Sequence, residues 1–180
     1  MDNIKWYCKR FTELEVKELY ELMKLRSEVF VVEQNCVYLD ADGKDEQSYH
    51  LYAVENGTIA AYARLLPANL SFAEASIGRV LTAPAHRRKG LGILLMQKSI
   101  AKTMELFNTN TIKIGGQLYL KSFYEDLQFL QCSNIYDEDG IPHIEMIFEK
   151  SNFYKLIQYL STSLVYYMRT CKSIQQKLIM

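Results

Sequence analysis

The chain contains 180 residues, of which 49% are hydrophobic and 12% aromatic, enough for one well-packed domain and too few for two. Lysine plus arginine and aspartate plus glutamate number 21 each, and this formal net charge of +0 gives no reason to expect a nucleic-acid partner. The 4 cysteines and 3 histidines are scattered without a CxxC pair, which argues against a metal site and against a disulfide framework.

The order of predicted elements is that of a mixed α/β protein. Alternating or β-branched runs predict strands at Lys5 to Phe11, Tyr49 to Glu55, Thr58 to Leu66, Ala75 to Thr82, Thr111 to Ile114 and His143 to Phe148. Helical periodicity predicts helices from Thr12 to about Val32, from Leu91 to about Phe107 and from Lys121 to Leu127. Thr12 and Glu15 predict a capping box, and Asn56-Gly57 predicts a hairpin turn. The order β-α-β-β-β-α-β-α-β predicts a central sheet flanked by helices.

The segment from Ser151 to Met180 differs from the rest and divides the chain into residues 1–150 and 151–180. It contains no Asp or Glu, and its apolar residues recur at helical spacing, so we predict a basic amphipathic helix. Packing on the domain or on a second copy, which would make a homodimer, is favoured over attachment to a membrane surface.

No targeting or membrane-spanning signal is found in the sequence. The first residues lack the basic and then apolar pattern of a signal peptide. No run approaches the ~20 uninterrupted apolar residues that cross a bilayer. We therefore expect a cytoplasmic protein, with its thiols reduced and with neither membrane nor nucleic acid as a partner.

The most informative run extends from Ile77 to Gly92, where a strand, a basic loop and a helix follow one another. Glycine at 90 and 92 lets a ligand approach the backbone closely, and the first amides of the helix are free to bind an anion. The neighbouring cations Arg87, Arg88 and Lys89 add a positive field. The patterns GxxxxGK[ST] and GxGxxG are absent, so Arg-x-x-Gly-x-Gly predicts a pyrophosphate site of another kind.

These residues resemble the GNAT acetyltransferase family. Val80 to Met96 is similar to its motif A, and Phe123 to Phe129 resembles its later Tyr-Glu-x-x-Gly-Phe helix, with Gln128 in place of the glycine. The runs Leu25 to Asn35, Asp40-x-Asp-Gly43 and Asp139 to Met146 resemble the ElaA branch, so the resemblance covers roughly residues 5 to 150. It implies the GNAT acyl-CoA N-acyltransferase fold, with a mixed, mostly antiparallel sheet.

The resemblance also implies acetyl-CoA as co-substrate, bound in a gap between the strands that end near Thr82 and Gly115, with no metal. The acetyl group would pass directly to a primary amine in a ternary complex. The acceptor would be a small-molecule or peptide amine, arriving from the opposite side. The residues expected to bind coenzyme A are Val80, Leu81, Thr82, Arg87, Arg88, Lys89, Gly90, Leu91, Gly92 and Phe123.

Amine acetylation needs a neutral amine and a proton for the departing thiolate, and the resemblance assigns the second task to Tyr124. The base is left open between Glu33, at the end of the first helix, and His143. The residues expected to contact the acceptor are Arg26, Phe30, Gln34, Arg79 and Gln117. The acidic residues at 40, 42, 45 and 46 indicate a cationic substrate or, with more weight, a solvated loop.

Two alternatives remain at this point. Arg26-x-x-Val29-Phe30 also resembles acyl-homoserine-lactone synthases, which share the core but use acyl-carrier protein and S-adenosylmethionine. The Arg-x-x-Gly-x-Gly loop argues against them, because a carrier protein places no ADP there. The second alternative is a coenzyme A-binding sensor or scaffold without turnover, against which the presence of Tyr124, Glu33 and His143 weighs.

Overall fold

A computed structural model describes residues 3–151 of the chain. In this part it forms strands β1–β8, which are Ile4–Arg10, Tyr49–Glu55, Thr58–Leu66, Ala75–Thr82, Thr111–Gln117, Leu130–Gln131, Tyr136–Glu138 and Ile141–Glu149. The α-helices are α1 (Val16–Arg26), α2 (Leu91–Phe107) and α3 (Lys121–Glu125), and α1 continues directly into a π-helix, Ser27–Glu33. The predicted mixed α/β fold is confirmed.

The strands of the described residues form one sheet in the order β1-β2-β3-β4-β5-β8-β6, with β7 paired to β8. Pairing is antiparallel from β1 through β4. Strand β5 runs parallel to β4, and their pairing consists of only two residue pairs, Ala75 with Ile112 and Ser76 with Lys113. The two strands therefore separate towards Thr82 and Gln117 and leave a gap in the middle of the sheet.

The sheet has a hydrophobic cluster on each face, because side chains alternate along a strand. The larger cluster joins Leu91, Leu95 and Met96 of α2 to the sheet, together with Ile112, Ile114 and Tyr124. The smaller cluster joins Leu22 and Val29 of the α1 side to the sheet through Tyr52, Tyr62 and Leu81. We call these the α2 face and the α1 face.

The predicted bounds of β2, β3, β4 and α2 agree with the structure to the residue. The start of the first helix was predicted wrongly. Thr12 lies in a 3-10 turn, Phe11–Glu13, because the Glu13 carboxylate accepts from Arg10 N at 2.8 Å. A second carboxylate, Glu18, accepts from Glu15 N at 2.9 Å and starts α1 at Val16. Glu15 is thus the N-cap of α1 with Glu18 as its partner, and Glu13 caps the turn before it.

Strands β6 and β7 were not predicted. Division of the chain by its contacts falls between Phe148 and Glu149. The predicted helix from Ser151 to Met180 lies, except for its first residue, outside the described residues. Within residues 3–151, none of the helices combines the length and the apolar character needed to cross a bilayer.

Candidate functional site

A cleft of about 750 Å³ passes through the sheet where β4 and β5 separate. On the α2 face it is lined by Gly92, Phe123 and Tyr124. On the α1 face it is lined by Phe30, Tyr38, Phe72, Tyr136 and His143. Because backbone pairing is missing in the gap, a ligand on one face can reach a ligand on the other.

Strand β4 is irregular along the gap. The register of β4 against β3 shifts between Tyr62 and Arg64, and Arg79, opposite this shift, has a φ of 52°. A residue other than glycine with its backbone in the left-handed region is strained, and it keeps this conformation only when surrounding contacts hold it. The Arg79 guanidinium donates to Asp40 Oδ1 at 2.6 Å and lies 5.5 Å from the ring of Tyr38. Arg79 lines the cleft, but its charge is already paired.

Arg26, expected to contact the acceptor, is 1% exposed and does not line the cleft. Its guanidinium donates to Asp40 Oδ2 at 2.8 Å and to Asp45 Oδ1 at 2.6 Å. Burial alone would lower its pKa, but Tyr62 and the neighbouring aspartates hold the pKa above its usual value. The structure therefore gives Arg26 a place in the protein interior, binding the 40–45 loop to the end of α1.

The acidic loop is an ion-pair network rather than the solvated loop that was favoured from sequence. Asp42 accepts two hydrogen bonds of 2.7 Å from Arg64, and Asp45 accepts from both Arg26 and Arg64. Asp40 bridges Arg26 and Arg79. Since the three aspartates are bound by three arginines, they offer little negative charge to a cationic substrate. Only Glu46, which is exposed, fits the solvated expectation.

The basic loop has the backbone of an anion site. Arg88 has a φ of 61° and Gly90, the N-cap of α2, has a φ of 74°. A methyl group at Gly90 would meet nothing within 4 Å, so this surface is open to a ligand. The amides of Leu91, Gly92 and Ile93 begin α2 and precede its first i to i−4 hydrogen bond, from Leu94 N to Gly90 O. Arg88 and Lys89 are exposed beside them.

The other residues expected to bind coenzyme A lie around the same loop. A methyl group at Gly92 would lie 3.6 Å from Thr82 Oγ1 and 4.0 Å from Phe123, so the helix start, the end of β4 and α3 meet at this glycine. Leu81 and Thr82 pair with β3 on one side only. Their other edge, with Val80, faces the gap. The side chain of Leu91 is buried, so its contribution to a ligand is its amide.

Arg87 and Glu33 are paired with each other. The two Nη atoms of Arg87 donate to the two carboxylate oxygens at 2.6 and 2.7 Å, and Arg87 Nε donates to Thr82 O at 3.1 Å. The hydrogen bonds from Arg87 lower the pKa of Glu33. Arg87, expected to bind pyrophosphate, and Glu33, expected to act as a base, are thus bound to each other.

Tyr124 lies at the bottom of the cleft on the α2 face. Its ring is so close to β5 that a methyl group at Gly116 would be 3.0 Å from Cε2. Burial raises the pKa of Tyr124 to about 12. Hydrogen bonds from Phe129 N to Tyr124 O and from Gln128 N to Glu125 O form a Schellman motif after α3. Gln128 adopts the left-handed φ of 70° that this motif demands, so the turn keeps its geometry without glycine.

His143, Gln34 and Gln117 all line the cleft. His143 Nδ1 is 2.8 Å from Ile141 O, and since a carbonyl only accepts, Nδ1 carries the proton. In the neutral ring the lone pair is then on Nε2. Gln117 Nε2 donates to Gln34 Oε1 at 3.1 Å, and both residues line the cleft with Phe30.

Sequence reasoning missed Phe72 and Tyr136, which approach Gly115 on the α1 face. Phe72 lies in an irregular loop and carries no recognisable signal. Tyr136 lies in β7, which Asp139-Gly140 could have revealed, because this pair forms a tight turn with φ of 53° and 81°. No cluster of three or more His, Cys, Asp or Glu side chains within residues 3–151 is arranged to hold a metal ion.

Comparison with known proteins agrees with this geometry. The family model described as "Acetyltransferase (GNAT) domain" matches residues 13–150. A UPF0039 protein of Synechocystis is 42% identical over 147 residues, covering 81% of this chain and 96% of the relative. Protein ElaA of Escherichia coli is 38% identical over 145 residues, covering 79% and 95%. The crystal structure of an acyl-CoA N-acyltransferase from Pseudomonas aeruginosa has a TM-score of 0.77 at 38% identity, covering 81% of this chain and 99% of that chain.

A more distant likeness concerns the synthase alternative. The structure of a CoA-dependent acyl-homoserine lactone synthase with isopentyl-CoA has a TM-score of 0.68 at 14% identity, which shows the fold alone. Since a synthase of this class can itself depend on coenzyme A, a coenzyme A loop does not by itself separate the two classes. The family match over most of the chain and the relatives at 38–42% identity do separate them. By these comparisons the chain belongs to the GNAT acetyltransferase family, in its ElaA-like branch.

Proposed function

We propose that this protein is an acetyl-CoA-dependent N-acetyltransferase that passes the acetyl group to a primary amine by direct attack in a ternary complex. The observation that carries the proposal is the cleft through the sheet, which has the basic loop and Tyr124 on one face and His143 on the other. Two reactants can therefore be held on opposite sides and meet in the gap.

The α2 face suits coenzyme A. Its pyrophosphate would accept hydrogen bonds from the first amides of α2, beside Arg88 and Lys89. The pantetheine amides would pair with the free edge of β4 near Val80 and Thr82, as an added strand does. When bound, acetyl-CoA supplies the acetyl group as a thioester. Gly92 leaves room for this path, since a larger side chain there would contact Thr82 and Phe123.

The residues on the two sides of the gap divide the proton transfers. The amine nitrogen forms a bond to the thioester carbonyl carbon, and the C–S bond breaks. His143 Nε2, which holds a lone pair while Nδ1 donates to Ile141 O, takes the proton that the amine loses. The hydroxyl of Tyr124 gives a proton to the thiolate, and its pKa of about 12 keeps it protonated at neutral pH.

Glu33 is the weaker candidate for the base. Its two oxygens are engaged by Arg87, and those hydrogen bonds lower its pKa, so it takes up a proton less readily than an ordinary glutamate. His143 lines the cleft, and no partner of its Nε2 within residues 3–151 would have to leave first. We therefore propose His143 as the base.

The donor site is tested by calorimetric titration of acetyl-CoA into the purified protein and into an Arg88→Glu, Gly90→Asp double variant. Micromolar binding to the wild type, lost in the variant, supports the loop as the pyrophosphate site. A Lys17→Glu, Thr12→Asp variant makes the same change in charge at exposed positions of the α1 region and should bind normally. Failure of the wild type to bind acetyl-CoA would contradict the proposal.

Transfer is tested by thiol release from acetyl-CoA in the presence of primary amines. A Tyr124→Phe variant should lose about 100-fold in kcat, the contribution typical of a positioned general acid, while its Kd for acetyl-CoA stays within about threefold. The matched control is Tyr20→Phe, since Tyr20 is 65% exposed on α1 and outside the cleft. Binding of acetyl-CoA without thiol release for any amine would instead indicate a coenzyme A sensor.

A further inference from the structure

Strand β5 presents two consecutive glycines to opposite faces of the sheet. A methyl group at Gly116 would point to Tyr124 on the α2 face, at 3.0 Å. A methyl group at Gly115 would point to the α1 face, where it would lie 3.1 Å from the Tyr136 hydroxyl and 3.8 Å from Phe72. The sheet is thus bare of side chains at this point, and an aromatic wall stands on each side of it.

The wall on the α1 face encloses a compartment next to the proposed base. The rings of Tyr136 and His143 are 5.9 Å apart, and both lie on the hairpin of β7 and β8. Phe72 closes the compartment from the loop before β4, while Phe30 of the π-helix and Tyr38 line it further along the cleft. We call this space the aromatic compartment.

Three basic side chains around the aromatic compartment are each paired with a carboxylate, while Lys44, Glu138 and Asp139 also line the cleft. Arg64 pairs with Asp42, and Arg79 pairs with Asp40. Lys113, whose ammonium lies 5.1 Å from the Phe72 ring, pairs with Glu145 at 2.7 Å. A ligand with an anionic group would therefore have to separate one of these pairs to reach the basic side chain. A ligand with one amine and an uncharged body would not.

We propose that the aromatic compartment binds the acceptor, and that the acceptor is an arylalkyl monoamine, a primary amine on a short chain from an aromatic ring. Its ring would pack against Phe72 and Tyr136, where aromatic pairs gain from offset or edge contacts. Its nitrogen would extend past Gly115 towards His143 and the gap. This inference rests on the proposed acetyl transfer and adds the substrate class and Tyr136 as a specificity-determining residue.

Three probe amines represent three classes of acceptor that the cleft could bind. Phenethylamine represents the arylalkyl monoamines, spermidine the polyamines, and a short peptide with a free lysine the polypeptide acceptors. With acetyl-CoA saturating, kcat/KM for phenethylamine should exceed the values for the other two by at least about tenfold, the discrimination that one apolar pocket supplies. A higher kcat/KM for spermidine or for the peptide would overturn the inference and leave acetyl transfer standing.

Variants at Tyr136 test the compartment itself. Tyr136→Ala removes one wall and should raise KM for phenethylamine about tenfold, whereas Tyr136→Phe keeps the wall and should stay within about threefold. Calorimetric titration of phenethylamine into the protein saturated with coenzyme A should show the same order without requiring turnover. Tyr20→Ala, on α1, is the matched control.

Binding of acetyl-CoA distinguishes failure of this inference from failure of the proposed function. If acetyl-CoA binds to Tyr136→Ala as it does to the wild type while phenethylamine binding is lost, the compartment is the acceptor site. If Tyr136→Ala weakens acetyl-CoA and leaves phenethylamine unchanged, Tyr136 belongs to the donor side and the inference is overturned. If the wild type binds no acetyl-CoA, the proposed function itself has failed. A melting temperature for each variant excludes misfolding as the cause.

Discussion

Arg87 has an anionic partner within the chain that competes with any ligand for its guanidinium. A pyrophosphate bound at the start of α2 and the Glu33 carboxylate would both seek the same two Nη atoms, which Glu33 holds at 2.6 and 2.7 Å. The side chains of the pair are 38% and 43% exposed, so water screens the pair and its contribution is modest.

Removal of the Glu33 carboxylate, which competes for Arg87, should tighten the binding of acetyl-CoA. We expect Glu33→Gln to lower the Kd for acetyl-CoA about two- to fivefold, the factor that corresponds to an exposed ion pair. Calorimetry at low salt measures the effect, which should shrink at high salt. Glu105→Gln removes a comparable exposed pair with Lys102 on α2 and should have no effect. Unchanged or weaker binding by Glu33→Gln would refute the competition.

Gln128 carries backbone strain at the turn after α3. Its φ of 70° is natural for glycine and unfavourable for a residue with a Cβ atom. Gln128→Gly should raise the free energy of unfolding by about 0.5–1 kcal/mol, the relief of strain less the extra entropy of an unfolded glycine. Urea denaturation measures it. Gln47→Gly, at an exposed position without a positive φ, should instead destabilise, and equal effects at both sites would refute the argument.

Among the secondary-structure elements, β5 separates the two sides of the cleft, because its residues point alternately to the α2 face and to the α1 face. Its burial alternates, with Ile112, Ile114 and Gly116 on the α2 face. Thr111–Ile114 was predicted as the strand, and the structure extends it through both glycines to Gln117. Glycine weakens a strand prediction, but here the close approach of Tyr124 and Tyr136 requires it.

The two glycines of β5 should affect different kinetic constants. Gly116→Ala forces Tyr124 to move by a few tenths of an ångström, and its packing against Phe123 and Phe129 limits the response. We expect kcat to fall about tenfold, because a misplaced general acid loses part of its effect. Gly115→Ala meets the movable end of Tyr136 and should mainly raise KM for the amine. Steady-state kinetics separates these results, and an identical loss in both variants would contradict the two-sided cleft.

The hairpin of β7 and β8 shows why an element was missed although its turn was visible. Asn56-Gly57 and Asp139-Gly140 have the same left-handed geometry, with φ of 50° and 79° in the first pair and 53° and 81° in the second. The first lies between two apolar runs and was recognised as a turn between strands. The second follows Tyr-Asp-Glu, which is too polar and too short to indicate a strand without its partner Ile141–His143.

For the whole molecule, the ion-pair network of Arg26, Arg64, Arg79 and the three aspartates ties α1, the 40–45 loop and β4 together. Burial would raise the pKa of Asp45, but hydrogen bonds and the charges of Arg26 and Arg64 hold it below its usual value. A carboxylate with a lowered folded pKa stabilises the protein above its unfolded pKa, and this contribution is lost as pH falls through the folded pKa.

Asp45→Asn should therefore cost about 3 kcal/mol of unfolding free energy at pH 7, because two buried arginines lose a shared partner. The difference from wild type should shrink as pH falls below about 4, the unfolded pKa of aspartate. Chemical denaturation between pH 7 and pH 3 measures both. The exposed neighbour provides the control, since Glu46→Gln should be nearly neutral throughout. A pH-independent difference would mean that the charge of Asp45 is not what stabilises the loop.

The amino-acid sequence by itself determined the local order of this protein and the basic loop at the start of α2. The bounds of β2, β3, β4 and α2 follow from alternation, helical periodicity and the Asn56-Gly57 turn, which act over a few residues. The loop from Arg87 to Gly92 follows from glycine spacing and from the unpaired amides of a helix start, which are also local.

Only the tertiary structure decided the partners of the charged and aromatic side chains. Arg26 is 14 and 19 residues from its partners Asp40 and Asp45 in the chain, and Glu33 is 54 residues from Arg87. Phe72, in the loop before β4, and Tyr136, in β7, both approach Gly115 of β5. Such contacts depend on how strands are ordered across the sheet, which local patterns do not encode, and so the proposed acceptor side became visible only in the folded chain.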